Sequence, residues 1–162
     1  MPNPRIAIIM GSQSDLETMS EALNLLKEFK TDYEVRVLSA HRTPDEVAKF
    51  SKDARKNGIK VIIAGAGGAA ALAGVIAAHT SLPVIGVPIE TSSLKGMDSL
   101  LSTVQMPGGV PVASMAIGKP GAKNAAIFAL EILGTSDKDI EKKLADYKKK
   151  MAEKVKEIKL NL

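Results

Sequence analysis

The fold class is decided by the stretch Arg5-Ile-Ala-Ile-Ile-Met-Gly-Ser-Gln-Ser-Asp-Leu-Glu17, in which an apolar run is followed directly by a helix start. The run that ends at Met10 is typical of a strand buried on both faces of a parallel sheet. Beyond it, Ser14 and Glu17 have the spacing of a capping box, so we expect Ser14 to cap the first helix. A buried strand that leads into a helix is the building unit of α/β proteins.

The same order of strand and helix recurs along the chain. Further strands are predicted at residues 33–38, 60–64, 83–87 and 112–117. A second helix is predicted to begin at Thr43-Pro-Asp-Glu46, where a capping residue, a proline and two acidic residues follow one another. Two more helices are predicted, one from the glycines at 65–68 to about His79 and one over 122–133. This alternation predicts a three-layer αβα fold over residues 1–162, a single domain with a five-stranded parallel sheet.

Residues 88–109 break the alternation with a long connection rich in Ser, Thr and Gly, which holds one helical stretch around 97–104. Connections of this length in compact domains are usually functional or disordered. The end of this one, residues 104–111, is too apolar for a free linker. We therefore expect it to pack on another surface, such as a neighbouring subunit.

The last segment predicts one long amphipathic helix. Apolar residues recur there at spacings of three or four, at Ile140, Leu144, Tyr147, Met151, Val155 and Ile158. A helix over 137–158 is ~33 Å long, more than twice the ~15 Å radius of gyration expected for a chain of this size. We predict that the C-terminal helix, residues 137–160, packs on a neighbouring subunit; a helix lying along its own domain is the alternative.

Composition excludes several kinds of site. The chain has no cysteine, which rules out disulfides, thiolate metal sites and a cysteine nucleophile, and its two histidines disfavour a histidine metal cage. The net charge of +4 is located after residue 137, where nine lysines face five acidic residues, so residues 1–137 are neutral overall and a nucleic-acid surface is disfavoured. With no recognisable signal peptide or spanning segment, we expect a cytoplasmic enzyme with no nucleic-acid or membrane partner.

Three strand-to-helix junctions carry the residues that chemistry needs: 11–15, 39–43 and 65–68. In parallel α/β sheets, ligands bind beyond the carboxyl ends of the strands. All three junctions should therefore open on the same edge of the sheet, where we expect a phosphorylated, nucleotide-like substrate.

The first junction offers hydroxyls and free backbone amides at a helix start. Ser12 and Ser14 suit a phosphate there, although an ordinary capped turn explains them equally well. The junction is not a P-loop, because Gly-Lys-Ser/Thr is absent. Asp15 either complements the helix dipole or accepts hydrogen bonds from a ribose diol.

His41 and Arg42 form the sharpest pair. Arginine offers a planar fork for phosphate, and histidine is the side chain whose ordinary pKa, about 6.5, suits proton transfer near neutrality. At the third junction, the glycine cluster of Gly65, Gly67 and Gly68 allows close approach of a ligand or close packing of a helix on the sheet. The spacing there lacks the dinucleotide-binding pattern, so a nicotinamide cofactor is disfavoured.

Six motifs in order carry a resemblance over essentially the whole chain. They are Met10-Gly-Ser-Gln-Ser-Asp15, Ser39-Ala-His-Arg-Thr-Pro44, Ala64-Gly-Ala-Gly-Gly-Ala-Ala70, Gly86-Val-Pro88, Ser99-Leu-Leu-Ser-Thr-Val-Gln-Met-Pro107 and Asn124-Ala-Ala126. Together they resemble the class I N5-carboxyaminoimidazole ribonucleotide mutases of purine biosynthesis. The resemblance implies a flavodoxin-like fold, a homo-octamer, no metal and no cofactor.

The resemblance also implies a reaction and a role for each matching residue. A carboxylate moves from the exocyclic nitrogen of the substrate to ring carbon 4, with His41 as the general acid and base. Ser12, Ser39 and Arg42 are expected to hold the phosphate, with Ser14 beside them. Asp15 is expected to hold the ribose, and the Gly67-Gly68 turn to border the base.

One position departs from the family pattern. The chain has Ala71-Leu-Ala-Gly74 where the family usually has His-Leu-Pro-Gly, so the second active-site histidine is missing. His79 lies eight residues later, ~12 Å along a helix, and is a poor substitute. Two alternatives therefore stay open: a carboxylase that uses free carbon dioxide with aminoimidazole ribonucleotide, and a weakened or inactive ligand-binding paralogue. Arg42 and the glycine pair argue against the carboxylase.

Overall fold

The computed structural model describes residues 5–160, and its elements follow the predicted alternation of strands and helices. The strands are β1 (Ile6–Met10), β2 (Tyr33–Val37), β3 (Val61–Gly67), β4 (Val84–Ile89) and β5 (Ala113–Ser114). The helices are α1 (Leu16–Glu28), α2 (Pro44–Asp53), α3 (Leu72–His79), α4 (Met97–Val104), α5 (Lys119–Gly134) and α6 (Lys138–Lys156), and a 3-10 turn, Gln13–Asp15, precedes α1. The residues group into two compact units, one ending at Ala129 and one beginning at Leu130.

The sheet is five-stranded and parallel, with strand order β2-β1-β3-β4-β5. Ile8 of β1 pairs with Val35 on one side and Ile63 on the other. From β1 the chain adds β2 on one side, and it then adds β3, β4 and β5 in turn on the other side. The strand order therefore reverses between β1 and β3, and doubly wound folds bind their ligands at such a point. The predicted fold class is confirmed.

Burial explains why the strands form where they do. Every residue of β1 and of β4 is buried, as a strand covered on both faces requires. On one face, Ala7 and Ile9 belong to a cluster that includes Phe50 of α2 and Ile76 of α3. Ile59 and Leu82, just before β3 and β4, belong to the same cluster, so helices and strands share one core.

Strand β3 extends three residues beyond the predicted end at residue 64. Gly65, Ala66 and Gly67 continue the ladder with Val87, Pro88 and Ile89 of β4. Position 65 needs a glycine because the Met19 side chain of α1 packs directly over this part of the strand. A Cβ at position 65 would lie only 2.5 Å from Met19 Sδ. The glycine thus allows close packing of helix on sheet, as one of its two predicted roles required.

Strand β5 is shorter than the predicted 112–117 and pairs only through Ala113 and Ser114 within the described residues. The chain still follows β4 past this point, because Met115 N donates to Gly86 O at 2.9 Å and Gly118 N donates to Pro88 O at 2.8 Å. These isolated bonds do not make a regular ladder. Helix α4, by contrast, has the bounds predicted for it.

The second unit contains α6, which begins after Asp137. The Asp137 carboxylate caps it by accepting from the amides of Asp139 and Ile140 at 3.1 and 3.3 Å. Ile140 and Leu144 are buried, whereas Met151, Val155 and Ile158 are 43, 68 and 65% exposed. The apolar stripe predicted from the sequence is therefore covered only in its first half. Across residues 5–160, no helix combines the length and apolar character needed to cross a membrane.

Candidate active site

A cavity of about 420 Å³ lies at the carboxyl edge of the sheet. Residues that follow β1, β2, β3 and β4 all line it, so the three predicted junctions do meet at one edge. Its volume falls within the range of ~300–1,000 Å³ that small-molecule sites occupy. The sequence rule that places ligands at this edge therefore located a site of suitable size.

The first wall is the turn between β1 and α1, and it folds differently from the prediction. Ser12 and Asp15, rather than Ser14 and Glu17, form the capping box, with Ser12 N donating to Asp15 Oδ2 at 2.9 Å. The predicted capping role of Ser14 is wrong because a 3-10 turn is inserted before α1. Glu17 instead pairs with Lys119 Nζ at 2.8 Å.

Asp15 is the buried acid of the site, with only 7% of its surface exposed. Burial raises the pKa of its carboxyl above the ordinary 3.8, and hydrogen bonding to the backbone at Ser12 and Gly11 and the charge of Arg42 offset part of that effect. A carboxylate held in this way is fixed in orientation. It lines the cavity and can accept hydrogen bonds there.

The second wall is the loop after β2, in which Arg42 joins two junctions. Arg42 Nε donates to Ser39 Oγ at 3.3 Å, and Arg42 Nη2 donates to Gly11 O at 3.4 Å. Thr43 precedes α2 and Pro44 opens it, as predicted, but the Thr43 hydroxyl does not cap the helix. It accepts from Ser39 N and donates to Ser39 O, both at 3.0 Å, so it fixes the loop instead.

His41 lines the same cavity from an exposed position between Ser39 and Arg42. Within the described residues, its ring has no hydrogen-bond partner. The imidazole is therefore available to a ligand, and the fixed loop around it holds its backbone.

The third wall is small and apolar and comes from the segment between β3 and α3. Ala69, Ala70 and Ala71 line the cavity with Gly67 and Leu72. Gly68 is not among the described lining residues; it takes a left-handed conformation with φ of 65° and supports the turn. Ala71, the position that departs from the family pattern, is part of the wall and half-buried.

The end of β4 supplies three lining residues that were not predicted from the sequence: Ile89, Glu90 and Thr91. The predicted strand stopped at residue 87, which left these residues in an unassigned connection. The same rule that selected the other junctions would have found them, because they follow a strand at the same edge. Within the described residues, no group of three or more His, Cys, Asp or Glu side chains is placed to hold a metal ion.

Comparison with known proteins shows the family. The family model described as "AIR carboxylase" matches residues 5–154, nearly the entire chain. The chain belongs to this family. The resemblance identified from the sequence motifs is therefore confirmed.

Relatives in this family are similar over most of their length. The N5-carboxyaminoimidazole ribonucleotide mutase of Thermotoga maritima is 56% identical over 94% of this chain and 88% of its own. The protein of the same name from Saccharolobus solfataricus is 57% identical over 91% and 92%, and that from Escherichia coli K12 is 51% identical over 94% and 91%. The crystal structure of Treponema denticola PurE superimposes with a TM-score of 0.86 at 31% identity, covering 95% of each chain.

Proposed function

We propose that this protein converts N5-carboxyaminoimidazole ribonucleotide into 4-carboxy-5-aminoimidazole ribonucleotide, a step of purine biosynthesis. The observation that carries the proposal is the cavity at the carboxyl edge, which brings Ser12, Asp15, Ser39, His41 and Arg42 together in one small site. The relatives named as mutases support it. The substrate is a small ribonucleotide, and the cytoplasm is the proposed location.

Two hydroxyls and one guanidinium suit the phosphate. Ser12 Oγ already accepts from the amide and the hydroxyl of Ser14, at 3.4 and 3.0 Å. Ser39 Oγ likewise accepts from Arg42 N and Nε, at 3.2 and 3.3 Å. Each hydroxyl therefore keeps its own O–H to donate to a phosphate oxygen, and the Arg42 fork adds charge-assisted donors beside them.

Asp15 suits the ribose and Gly67 the base. The Asp15 carboxylate is an acceptor and therefore complements the two hydroxyl donors of a diol. Gly67 lines the cavity on β3, next to β1 in the sheet. A ribonucleotide bound with its phosphate at Arg42 can place its ring over this glycine and the neighbouring alanines, where Gly68 shapes the turn.

His41 suits both proton transfers of the reaction. As an acid, it protonates the exocyclic nitrogen while the N–C bond breaks and carbon dioxide leaves. Carbon 4 then attacks the carbon dioxide, and the neutral imidazole removes the proton from carbon 4. One histidine thus ends in the protonation state in which it began, and no other reactant is consumed.

The alanine wall suits the carbon dioxide between these two steps. Ala69, Ala70 and Ala71 present no polar side-chain atoms, so this wall has no side-chain group that could react with the released carbon dioxide or bind it away from carbon 4. Holding it close to carbon 4 makes its recapture effectively intramolecular. Because Ala71 stands where the family usually has histidine, His41 alone carries out both proton transfers.

We further propose that residues 1–162 function as one domain in a homo-octamer, with residues 137–160 packed on a neighbouring subunit. The subunit number comes from the family resemblance. The exposed apolar residues Met151 and Val155 on α6 and Ile158 just beyond it support the packing. A second exposed apolar group lies at helical spacing in and before α4: Leu94, Met97, Leu101 and Val104, which are 59, 50, 49 and 49% exposed. Exposed apolar patches of this kind usually mark an interface.

An absorbance assay on the purified protein tests the reaction. It follows two substrates in parallel: the N-carboxylated ribonucleotide, and aminoimidazole ribonucleotide with bicarbonate. Rapid conversion of the first alone supports the mutase. Conversion of the second alone would make the protein a carboxylase, and conversion of neither, with binding retained, would make it an inactive paralogue.

A further inference from the structure

Glu90 is a charged residue of the cavity that the assigned roles leave unused. It follows β4 directly and lines the cavity together with Ile89 and Thr91. Among the described residues that line the cavity from β3, α3 and the end of β4, it is the one with a charged side chain. A ligand that covers this carboxylate must offer it a polar group, because an unpaired charge removed from water is costly.

The backbone around Glu90 is firmly held. Ser99 Oγ donates to Ile89 O at 2.7 Å, and the Thr91 hydroxyl contacts both Asp98 oxygens at 2.9 and 3.0 Å. A Cβ on Gly96 would lie 3.2 Å from Glu90 Cα, so the return of the loop also packs against this residue. These contacts fix where the side chain begins.

The Glu90 carboxylate itself has no hydrogen-bond or ion-pair partner within residues 5–160. The neighbouring hydroxyl of Thr91 is already engaged with Asp98. A carboxylate is an acceptor only, so the group that satisfies it must donate a hydrogen or carry positive charge. Glu90 is exposed, so water hydrates its carboxylate in the free protein, and a ligand that displaces this water from the cavity must supply a donor in its place.

The order of the strands places Glu90 at the opposite end of the site from the phosphate donors. Arg42 follows β2 and Glu90 follows β4, and β1 and β3 lie between them. Three strand spacings amount to ~14 Å across the sheet. A positive end and a negative end would orient a ribonucleotide with its phosphate at Arg42 and its base toward Glu90.

We propose that Glu90 is a specificity-determining residue whose carboxylate accepts a hydrogen bond from the exocyclic amine of the aminoimidazole ring. This inference rests on the proposed function, which supplies that amine. The contact distinguishes an amino-substituted imidazole ribonucleotide from one that lacks the amine.

Calorimetric titration with two ligands tests the inference. The ligands are aminoimidazole ribonucleotide and the corresponding imidazole ribonucleoside 5′-phosphate without the amine. They are titrated into the wild type, Glu90→Ala and Glu90→Gln. The matched control is Glu28→Gln, an exposed change of the same charge at the end of α1 and outside the cavity.

Glu90→Ala should weaken binding of the amine-bearing ligand about ten-fold, a typical loss for a hydrogen bond to a charged group. Its affinity for the ligand without the amine should change less than about two-fold. Glu90→Gln keeps an acceptor oxygen and should lose less, about three-fold. Glu28→Gln should leave both affinities unchanged.

The contradicting results are equally specific. Equal losses for both ligands in Glu90→Ala would show a general effect of charge and overturn the inference, as would no loss for either. Wild-type turnover in the assay above separates the two proposals. If the wild type turns over its substrate but Glu90→Ala binds both ligands as tightly as the wild type, only the role of Glu90 is overturned. If the wild type binds neither ligand, both the role of Glu90 and the proposed function are overturned.

Discussion

Replacing Arg42 with alanine should separate substrate binding from folding. The side chain is exposed, and its two hydrogen bonds are long, 3.3 Å to Ser39 Oγ and 3.4 Å to Gly11 O. Exposed interactions of this kind contribute little, so the variant should lose less than about 1 kcal/mol of unfolding free energy. The capping box of Ser12 and Asp15 does not depend on Arg42 and should remain.

The loss in binding should be much larger. Removal of the guanidinium takes away a positive charge and two charge-assisted donors that the phosphate would otherwise accept. At ~1.5 kcal/mol for each such bond, the expected cost is ~3 kcal/mol. That corresponds to about a 100-fold increase in the dissociation constant of the ribonucleotide.

Two measurements check this prediction: calorimetric titration of aminoimidazole ribonucleotide, and urea denaturation of the same samples. The nucleoside without its phosphate serves as a second ligand, and its affinity should be nearly the same in wild type and variant. Arg36→Ala is the control, since Arg36 stacks over Phe50 at 5.2 Å on the outer strand and does not line the cavity. A ribonucleotide affinity within two-fold of wild type in Arg42→Ala would refute the assignment of the phosphate site.

Four further predictions address the other roles and the pH dependence of stability. His41→Asn should abolish turnover while the substrate still binds, because proton transfer is lost and shape is nearly kept; equal activity in the variant would remove His41 from the mechanism. Burial raises the pKa of Asp15 above 3.8, so its carboxylate begins to take up a proton at a higher pH than an ordinary aspartate does. The wild type should bind the substrate more tightly than Asp15→Asn at neutral pH, and this difference in affinity should shrink as the pH is lowered toward the raised pKa. A constant ratio of the two affinities across that range, measured by titration at each pH, would contradict the ribose role. The same raised pKa means that the contribution of Asp15 to stability is complete below 3.8 and is lost as the pH rises through the folded-state value. Val155→Asp in the full-length chain should lower the assembly mass in sedimentation, whereas Lys156→Asp on the same helix should not; an unchanged mass in Val155→Asp would argue against an interface there.

The parallel sheet could be predicted because its signal is local. The residues of β1 are apolar in succession, and a run this short before a helix start favours a strand buried on both faces. The helix bounds at Pro44 and Met97 followed from local residues as well. The rule that ligands bind at the carboxyl edge then brought residues 12, 39, 41 and 42 together correctly, without any knowledge of distances.

Two of the missed features depend on partners distant in the sequence. Gly65 appeared to end a strand because the Met19 side chain that packs over it is 46 residues away. Glu17 appeared to belong to a capping box because its partner Lys119 lies on another helix. Glu90 was overlooked for a different, local reason: the predicted strand stopped at residue 87, whereas β4 continues to Ile89.

A labelling experiment tests the central claim that one site moves a carboxylate within a single substrate molecule. The N-carboxylated ribonucleotide is prepared with ¹³C in its carboxylate and is converted by the wild type in excess unlabelled bicarbonate, and the product is analysed by mass spectrometry. Recapture of carbon dioxide against the alanine wall predicts that the product keeps its ¹³C. A product whose carboxylate has exchanged with the bicarbonate would show that free carbon dioxide is the reactant and would contradict the mutase.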